Sequence, residues 1–124
     1  MSFTYDIRAD VSKNRLYLRF VGFMSDEDAA KIAERIIAEI GRLRPGFSII
    51  NDISALKPTS QAATEHLRRA QDLSVKRGSG RVIRVVGNQA VTQMQWNRTL
   101  KETFGRTAEV AATVEEAERM LDGG

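Results

Sequence analysis

The sequence has no cysteine and a single histidine, His66, among its 124 residues. Without cysteine the chain cannot form disulfide scaffolds, thiolate zinc sites or iron–sulfur clusters, and it has no cysteine nucleophile. One histidine cannot supply a histidine metal cage. The glycine-containing turns at 78–80 and 87–88 match neither a dinucleotide nor a P-loop fingerprint. We therefore expect no metal site and no cofactor.

Long apolar runs and runs of like charge are also missing. No apolar run approaches the roughly 20 residues that span a bilayer, and residues 1–6 lack the pattern of a signal peptide. The formal net charge is only +3, and basic residues do not cluster with aromatic ones as they do in nucleic-acid-binding domains. We expect a cytoplasmic protein with no transmembrane segment and no nucleic-acid partner.

What the sequence does contain is typical of one globular domain over residues 1–124. Hydrophobic residues make up 42% of the chain and charged residues 28%, which excludes wholesale disorder. Both prolines, Pro45 and Pro58, stand at breaks between periodic segments. Most of the basic residues are arginine, whose planar guanidinium suits carboxylates and phosphates. This composition makes an acidic or anionic partner a candidate.

An antiparallel hairpin is predicted at the start of the chain. Apolar residues alternate with polar ones over residues 3–11 and again over 16–24, which is the period of two that strands show. Bringing both apolar sets to one face places Val11 opposite Leu16. In that register Arg8 faces Arg19 directly across the hairpin.

Helices and strands alternate after the hairpin. Ser25 is a natural N-cap, and the acidic residues 26–28 suit the positive end of a helix dipole. Strands separated by whole helices pair in parallel. The pattern predicts an α/β fold with a single mixed sheet in the order ββαβαβαβα. Three further strands are expected over residues 47–53, 81–86 and 108–112. The second helix begins at Pro58-Thr59-Ser60, and the third runs from about Gln89 to about Phe104. The terminal helix begins at a capping box in Thr113–Glu116.

Three local motifs resemble one known family. The strand end Asn51–Leu56 resembles the family's D-L-S strand end, and Pro58–Ser60 lies where members carry a phosphorylatable serine. Residues 108–117 resemble the closing strand and its T-x-E-E-A helix start. Together with the element order, these motifs resemble the STAS domain, the anti-sigma-factor-antagonist-like (sporulation stage II AA-like) group. The resemblance implies a non-enzymatic regulatory domain that binds a protein partner such as an anti-sigma kinase.

The chain departs from this family in the segment where members carry the phosphorylatable serine. Members that act as phospho-switches usually carry D-S-S-G-L-G, whereas residues 58–63 are Pro-Thr-Ser-Gln-Ala-Ala. The acidic neighbour and the glycines are missing. In this respect the chain resembles the STAS/Sec14-like branch, for which a small-ligand or lipid role is suggested.

Ser60 and Thr59 are the candidate phosphoacceptors. A phosphate at a helix N-terminus is stabilised by free backbone N–H groups and by the helix dipole. The structural alternative is that one of these hydroxyls only caps the helix, which contributes about 1 kcal/mol. The residue pattern favours the cap, because any capped helix shows such residues.

Asp52 is predicted at the carboxyl end of a central strand, and Asn88 lies near another strand end, at the edge where open α/β sheets bind ligands. A lone carboxylate there more often bonds nearby loop amides, and no second acid is placed to complete a metal site or an acid–base pair. His66 is predicted on the inward face of the second helix, where a half-buried structural role is favoured. With no nucleophile elbow in the sequence, we expect no enzyme.

Arginines form a second candidate surface. Arg8 and Arg19 lie on the polar face of the hairpin, beside Arg15 and Tyr17, and Arg84 interrupts an otherwise apolar strand. If all helices pack on one side of the sheet, this arginine-bearing face is open to an acidic partner or an anion. The alternative is a solvated face that the aspartates of the first strand neutralise.

The third predicted helix has an unusually broad apolar surface. Trp96, Leu100 and Phe104 follow one another at i, i+4 spacing. A helix of this kind is either deeply packed or offers a second face to a partner or ligand, and a homodimer contact at Trp96 is one interpretation.

The alternative function is a carrier for an anionic or lipid-like molecule, held between the second and third helices near the strand ends. Its expected pocket is lined by Leu67, Leu73, Trp96 and Leu100.

Overall fold

The computed structural model describes residues 2–87 and 109–123. In this part of the chain five strands form one sheet in the order β1-β2-β3-β4-β5. β1 and β2 are antiparallel, and the other neighbours are parallel, which confirms the predicted mixed sheet. The elements are β1 (Phe3–Asp10), β2 (Arg15–Gly22), α1 (Asp26–Ile40), β3 (Ser48–Leu56), α2 (Gln61–Lys76), β4 (Val82–Val85), β5 (Glu109–Ala111) and α3 (Val114–Asp122).

Part of the sequence prediction falls outside these residues. The helix predicted over 89–104 lies there, together with the candidate residues Asn88 and Trp96. Within the described ranges, no helix has the length and apolar character needed to cross a membrane.

Side-chain caps begin the described helices. The predicted cap at α1 is confirmed: Ser25 Oγ accepts from the Asp28 N–H at 3.0 Å, and the Asp28 carboxylate accepts from the Ser25 N–H at 3.1 Å. At α3, Thr113 Oγ1 accepts from the Glu116 N–H, but the Glu116 carboxylate accepts from the N–H of Ala112. The capping box predicted at Thr113 is therefore wrong in its second half, because the Glu116 side chain reaches one residue past the cap.

The hairpin register differs from the prediction by two residues. Leu16 lies opposite Ala9 instead of Val11, and Arg8 lies opposite Tyr17 instead of Arg19. The register shifts because the turn covers residues 11–14, one residue earlier than the turn over 12–15 that the predicted register requires. The first bonds of the observed turn are made by the carboxylate of Asp10, which accepts from the Ser12 hydroxyl at 2.8 Å and the Lys13 N–H at 3.1 Å. A shift by two keeps every side chain on its predicted face, so the predicted faces hold while the predicted Arg8–Arg19 contact is wrong.

Helices cover both faces of the sheet. The larger core forms where α1 and α2 pack on the face that carries Leu16, Leu18 and Phe20. The smaller core forms where α3 packs on the opposite face, against Ile50 and Ile83. The condition for an open arginine-bearing face, that all helices pack on one side, is therefore not met.

Candidate functional site

The starts of α1 and α2 meet at the end of the sheet where β2 and β3 finish. The carbonyl of Gly22 accepts from the Lys57 N–H at 3.0 Å and so joins the two loops. We call the exposed surface here the helix-start surface, and we define it by Phe23, Asp26, Lys57, Thr59 and Ser60. Phe23 is 44% exposed. An apolar ring is therefore exposed in the loop that precedes α1, next to the residue bonded to the loop before α2.

Ser60 is the N-cap of α2, in an extended backbone conformation. Its Oγ accepts from the Ala63 N–H at 3.1 Å and donates to Asp26 Oδ1 at 2.6 Å. The bond to Ala63 is the capping role that the sequence favours. The bond to Asp26 goes beyond that role, because it connects the beginning of α2 to the beginning of α1. Ser60 is exposed, so this bond lies within reach of a modifying enzyme or a binding partner.

Thr59 has a different environment. It is half-buried, and its Oγ1 lies 3.2 Å from Oγ1 of Thr64 in the first turn of α2. Of the two predicted phosphoacceptors, Ser60 is therefore the more accessible hydroxyl.

Asp52 lies in the middle of β3, on the α3 side of the sheet. Its predicted position at the carboxyl end of the strand is wrong, because β3 continues to Leu56. Asp52 Oδ1 accepts from the Ser54 N–H at 3.0 Å and from the Ser54 hydroxyl at 2.6 Å, while Oδ2 lies 3.8 Å from Arg19 Nε. The carboxylate thus bonds a nearby backbone amide, as the structural interpretation expects, but that amide belongs to β3 and not to a loop. His66 is half-buried on α2, which covers the other face. The sheet separates Asp52 from His66, which counts against an acid–base pair.

A shallow groove of about 160 Å³ brings together the candidates Arg8, Arg19 and Asp52 with Asp6 and Tyr17. The guanidinium of Arg8 lies 4.0 Å from the centre of the Tyr17 ring. Arg19 lies opposite Asp6 in the hairpin and close to Asp52. Two arginines and two aspartates balance in charge, so the groove does not form the positive surface that the arginines by themselves suggest.

The arginine-bearing face is covered at Arg15 and Tyr17. Arg15 donates to Glu118 at 2.9 Å and to Asp122 at 3.1 Å, Tyr17 donates its phenolic proton to Glu118 at 2.5 Å, and Lys13 donates to Glu118 at 3.2 Å. Burial raises the pKa of the Glu118 carboxyl, but these hydrogen bonds outweigh it and hold the pKa below its ordinary value. Burial also lowers the pKa of Arg15, and its hydrogen bonds outweigh that effect and raise the pKa. These groups hold α3 on the sheet.

Arg84 is not part of that face. It pairs with Asn51 in the β3–β4 register, and it shares with Asn51 the wall of a cavity beneath α2. The grouping of Arg84 with the hairpin arginines is therefore wrong, because Ile83 and Val85 face α3 and strand alternation turns Arg84 the other way. Arg84 is 1% exposed, and burial lowers the pKa of its guanidinium to about 10.

The cavity beneath α2 has a volume of about 40 Å³. Leu67 is on its wall, as the carrier prediction expects, but Leu73 is not, so the prediction is wrong for that residue. Trp96 and Leu100 lie outside the described residues. Asn51 Oδ1 and Gln71 Oε1 are buried there, and within the described part of the chain neither has a hydrogen-bond partner. The volume is well below the roughly 300 Å³ or more of typical ligand pockets.

Several contacts of these sites were not predicted from the sequence. The bond from Ser60 to Asp26 joins residues far apart in the chain, so no local pattern announces it. A signal for Glu118 and Asp122 does exist: they lie at i, i+4 spacing in the terminal helix and so share a helix face. Within the described ranges, no group of three or more acidic, histidine or cysteine residues is arranged to hold a metal ion.

Solved structures with the same architecture include two relatives of low sequence identity. The anti-sigma factor antagonist SpoIIAA in its unphosphorylated form matches 98% of this chain and 100% of its own, with 16% identity and a TM-score of 0.62. An uncharacterised protein of the DUF3478 family from Shewanella loihica PV-4, with a SpoIIAA-like fold, matches 98% of this chain and 96% of its own, with 17% identity and a TM-score of 0.71. Identities this low show the fold alone.

No protein-family model matches the chain, and no curated protein matches it. The structural matches confirm the STAS-like, SpoIIAA-like fold that the sequence motifs predict.

Proposed function

We propose that the chain is a non-enzymatic regulatory domain that binds a protein partner at the helix-start surface, and that negative charge on Ser60 controls this contact. The observation that carries the proposal is the bond from Ser60 Oγ to Asp26 Oδ1 at 2.6 Å. One exposed hydroxyl both caps α2 and connects it to α1. A change at this single atom therefore alters the surface between two helices.

Phosphorylation of Ser60 replaces a hydrogen-bond donor with a group of charge about −1.5 to −2. The phosphate no longer satisfies the Asp26 carboxylate and instead repels it. The free N–H groups at the start of α2 stabilise the phosphate, so α2 stays folded. The effect is local: the starts of the two helices separate, and the surface beside Phe23 becomes more negative.

The test compares capture of binding proteins by Ser60 variants used as bait in lysate of the source cells. We expect wild type and Ser60→Ala to capture the same protein and Ser60→Asp to lose it, because only the aspartate places a second carboxylate against Asp26. Thr113→Asp is the matched control, since it changes an N-cap in the same way at α3. The captured protein is then titrated in purified form against each variant.

Equal binding by wild type, Ser60→Ala and Ser60→Asp contradicts the switch. Loss of binding by Thr113→Asp as well indicates a general effect of a charged cap and also contradicts it. Intact mass of the natively expressed chain, followed by fragmentation, tests whether the phosphate is on Ser60 or on Thr59. We expect Ser60, because its hydroxyl is exposed.

A second candidate function is the carrier, and the cavity beneath α2 is the observation that favours it. The buried guanidinium of Arg84 lies on a mostly apolar wall, together with Asn51 Oδ1 and Gln71 Oε1, which have no hydrogen-bond partner among the described residues. The guanidinium can pair with the head group of a small anionic amphiphile whose acyl chain lies against Leu67. The two amide oxygens accept hydrogen bonds only, so they do not bind the anion and have to turn away from it or accept from a donor on the ligand. Since the cavity measures about 40 Å³, the ligand has to displace side chains of α2.

Calorimetric titration with decanoate, and with decanol as its uncharged match, tests the carrier. We expect decanoate to bind more tightly than decanol, Arg84→Met to remove that preference, and Leu67→Phe to weaken both ligands by filling the cavity. Ser60→Ala serves as a control at a distant site. Absence of binding by either probe, or equal binding of decanoate by Arg84→Met, contradicts the carrier.

A further inference from the structure

β1 lies at the edge of the sheet. It is eight residues long, contains no proline, and pairs with β2 along one side only. Among the described residues no strand pairs with its other side. The N–H and C=O groups along an unpaired strand edge form a template on which another strand can add.

The side chains of β1 are unusually exposed for a strand of this length. Ile7 is its one buried residue, and Tyr5 is 49% exposed. The Tyr5 ring is stacked on Phe3, with 6.0 Å between ring centres. Natural edge strands are usually protected by proline, by a bulge or by charged side chains, lysine above all. β1 has no proline, lysine or bulge, and its charged residues alternate in sign, so they repel a second strand in some registers only.

The charge pattern of β1 is complementary to that of a second copy of β1 running in the opposite direction. If two copies of β1 pair in antiparallel with Ile7 opposite Ile7, Asp6 of each copy faces Arg8 of the other, which makes two opposite-charge pairs. In the same register Tyr5 faces Ala9, a small residue that leaves room for the ring. The two nearest registers that keep the side-chain faces aligned place Asp6 opposite Asp6 or Arg8 opposite Arg8. Like charges directly opposite each other destabilise a strand pair.

We propose that β1 pairs antiparallel with β1 of a second copy of this chain, centred on Ile7, so that two five-stranded sheets join into one. The proposal concerns a surface distinct from the helix-start surface and does not depend on the function proposed above. The two-fold axis lies perpendicular to the sheet, which keeps the α1 faces of both copies on the same side. The contact covers the exposed Tyr5 ring and satisfies the open edge of the sheet.

Charge reversal with rescue tests this contact by analytical ultracentrifugation over a concentration series. We expect wild type to dimerise reversibly, and Asp6→Arg and Arg8→Asp each to raise the dimer Kd by about tenfold or more, because each turns two attractive pairs into two repulsive ones. The double variant, Asp6→Arg with Arg8→Asp, restores both pairs in reversed order. We expect its Kd to return to within about threefold of wild type.

The double variant also separates dimerisation from folding. Asp6 faces Arg19 within the hairpin. Asp6→Arg therefore lowers the folding stability of the single chain by the same amount whether or not Arg8 is changed. Thermal unfolding monitored by circular dichroism measures that cost, and Lys31→Asp on the exposed side of α1 is the charge-reversal control. A wild type that stays monomeric at its highest soluble concentration overturns the proposal. A dimer that the single variants leave unchanged, or that the double variant fails to restore, overturns it as well.

Discussion

At the scale of single residues, Asn14 shows how one side chain connects distant parts of this fold. Its φ is 54°, in the left-handed region that favours glycine and asparagine. Its Oδ1 accepts from the Arg44 N–H at 2.8 Å, and its Nδ2 donates to the Arg44 carbonyl at 3.2 Å. The residue that closes the hairpin turn thus also holds the loop between α1 and β3.

We expect Asn14→Ala to be more destabilising than Asn14→Gly. Both variants lose the two bonds to Arg44, which together contribute about 1–3 kcal/mol. Only alanine also has to adopt a positive φ, which costs about 1 kcal/mol more. Urea unfolding monitored by circular dichroism measures the two free energies of unfolding. Equal values for both variants contradict the backbone argument, and values equal to wild type contradict the role of the Arg44 bonds.

Arg84 illustrates a different point at the same scale. A buried guanidinium in a central strand is unusual, since arginine is rarely fully buried. The strand alternation in the sequence indicates that Arg84 and its neighbours Ile83 and Val85 face opposite ways. Which of those two faces lies under α2 depends on which helices pack where, and that is a property of the whole sheet.

At the scale of elements, the attachment of α3 depends on charge as well as on its apolar face. Ala117 is buried among the residues of the smaller core. Beside it, Glu118 accepts from Lys13, Arg15 and Tyr17. A helix of nine residues is short for independent stability, so contacts with the sheet hold it in place.

The depressed pKa of Glu118 predicts acid sensitivity of this attachment. A carboxyl whose pKa is lower in the folded than in the unfolded state stabilises the fold above its unfolded value, here near 4.5. That stabilisation is lost as pH falls from 4.5 toward the folded pKa. We expect Glu118→Gln to lower stability by about 1–2 kcal/mol at neutral pH and to flatten the acid limb of the stability curve.

Thermal unfolding between pH 3 and pH 7 measures this difference. Glu65→Gln, which removes an exposed carboxylate on α2 that pairs with Arg68, is the matched control, and we expect it to keep the slope of wild type. Parallel curves for wild type and Glu118→Gln contradict the assignment of the acid limb to Glu118.

At the scale of the whole molecule, the prediction from the sequence succeeded where the signals are local. Alternation with a period of two predicts the hairpin strands, and Ser25 with Asp28 predicts the beginning of α1. The motifs around Asn51–Leu56 and Thr113 led to the SpoIIAA-like fold, which the structural matches confirm. At the candidate site, the capping role that the sequence favours for Ser60 is observed, its bond to Asp26 was not predicted, and its phosphorylation stays a prediction.

The amino-acid sequence determined the type and order of the described elements, because helix caps, turns and hydrophobic periodicity act between residues that are close in the chain. Tertiary structure alone decided the hairpin register, the face on which α3 packs and the neighbours of Arg84. Those outcomes depend on contacts between distant residues, such as Arg15 with Glu118. Several arrangements satisfy the same local pattern, and the combined packing of both faces of the sheet selects one of them.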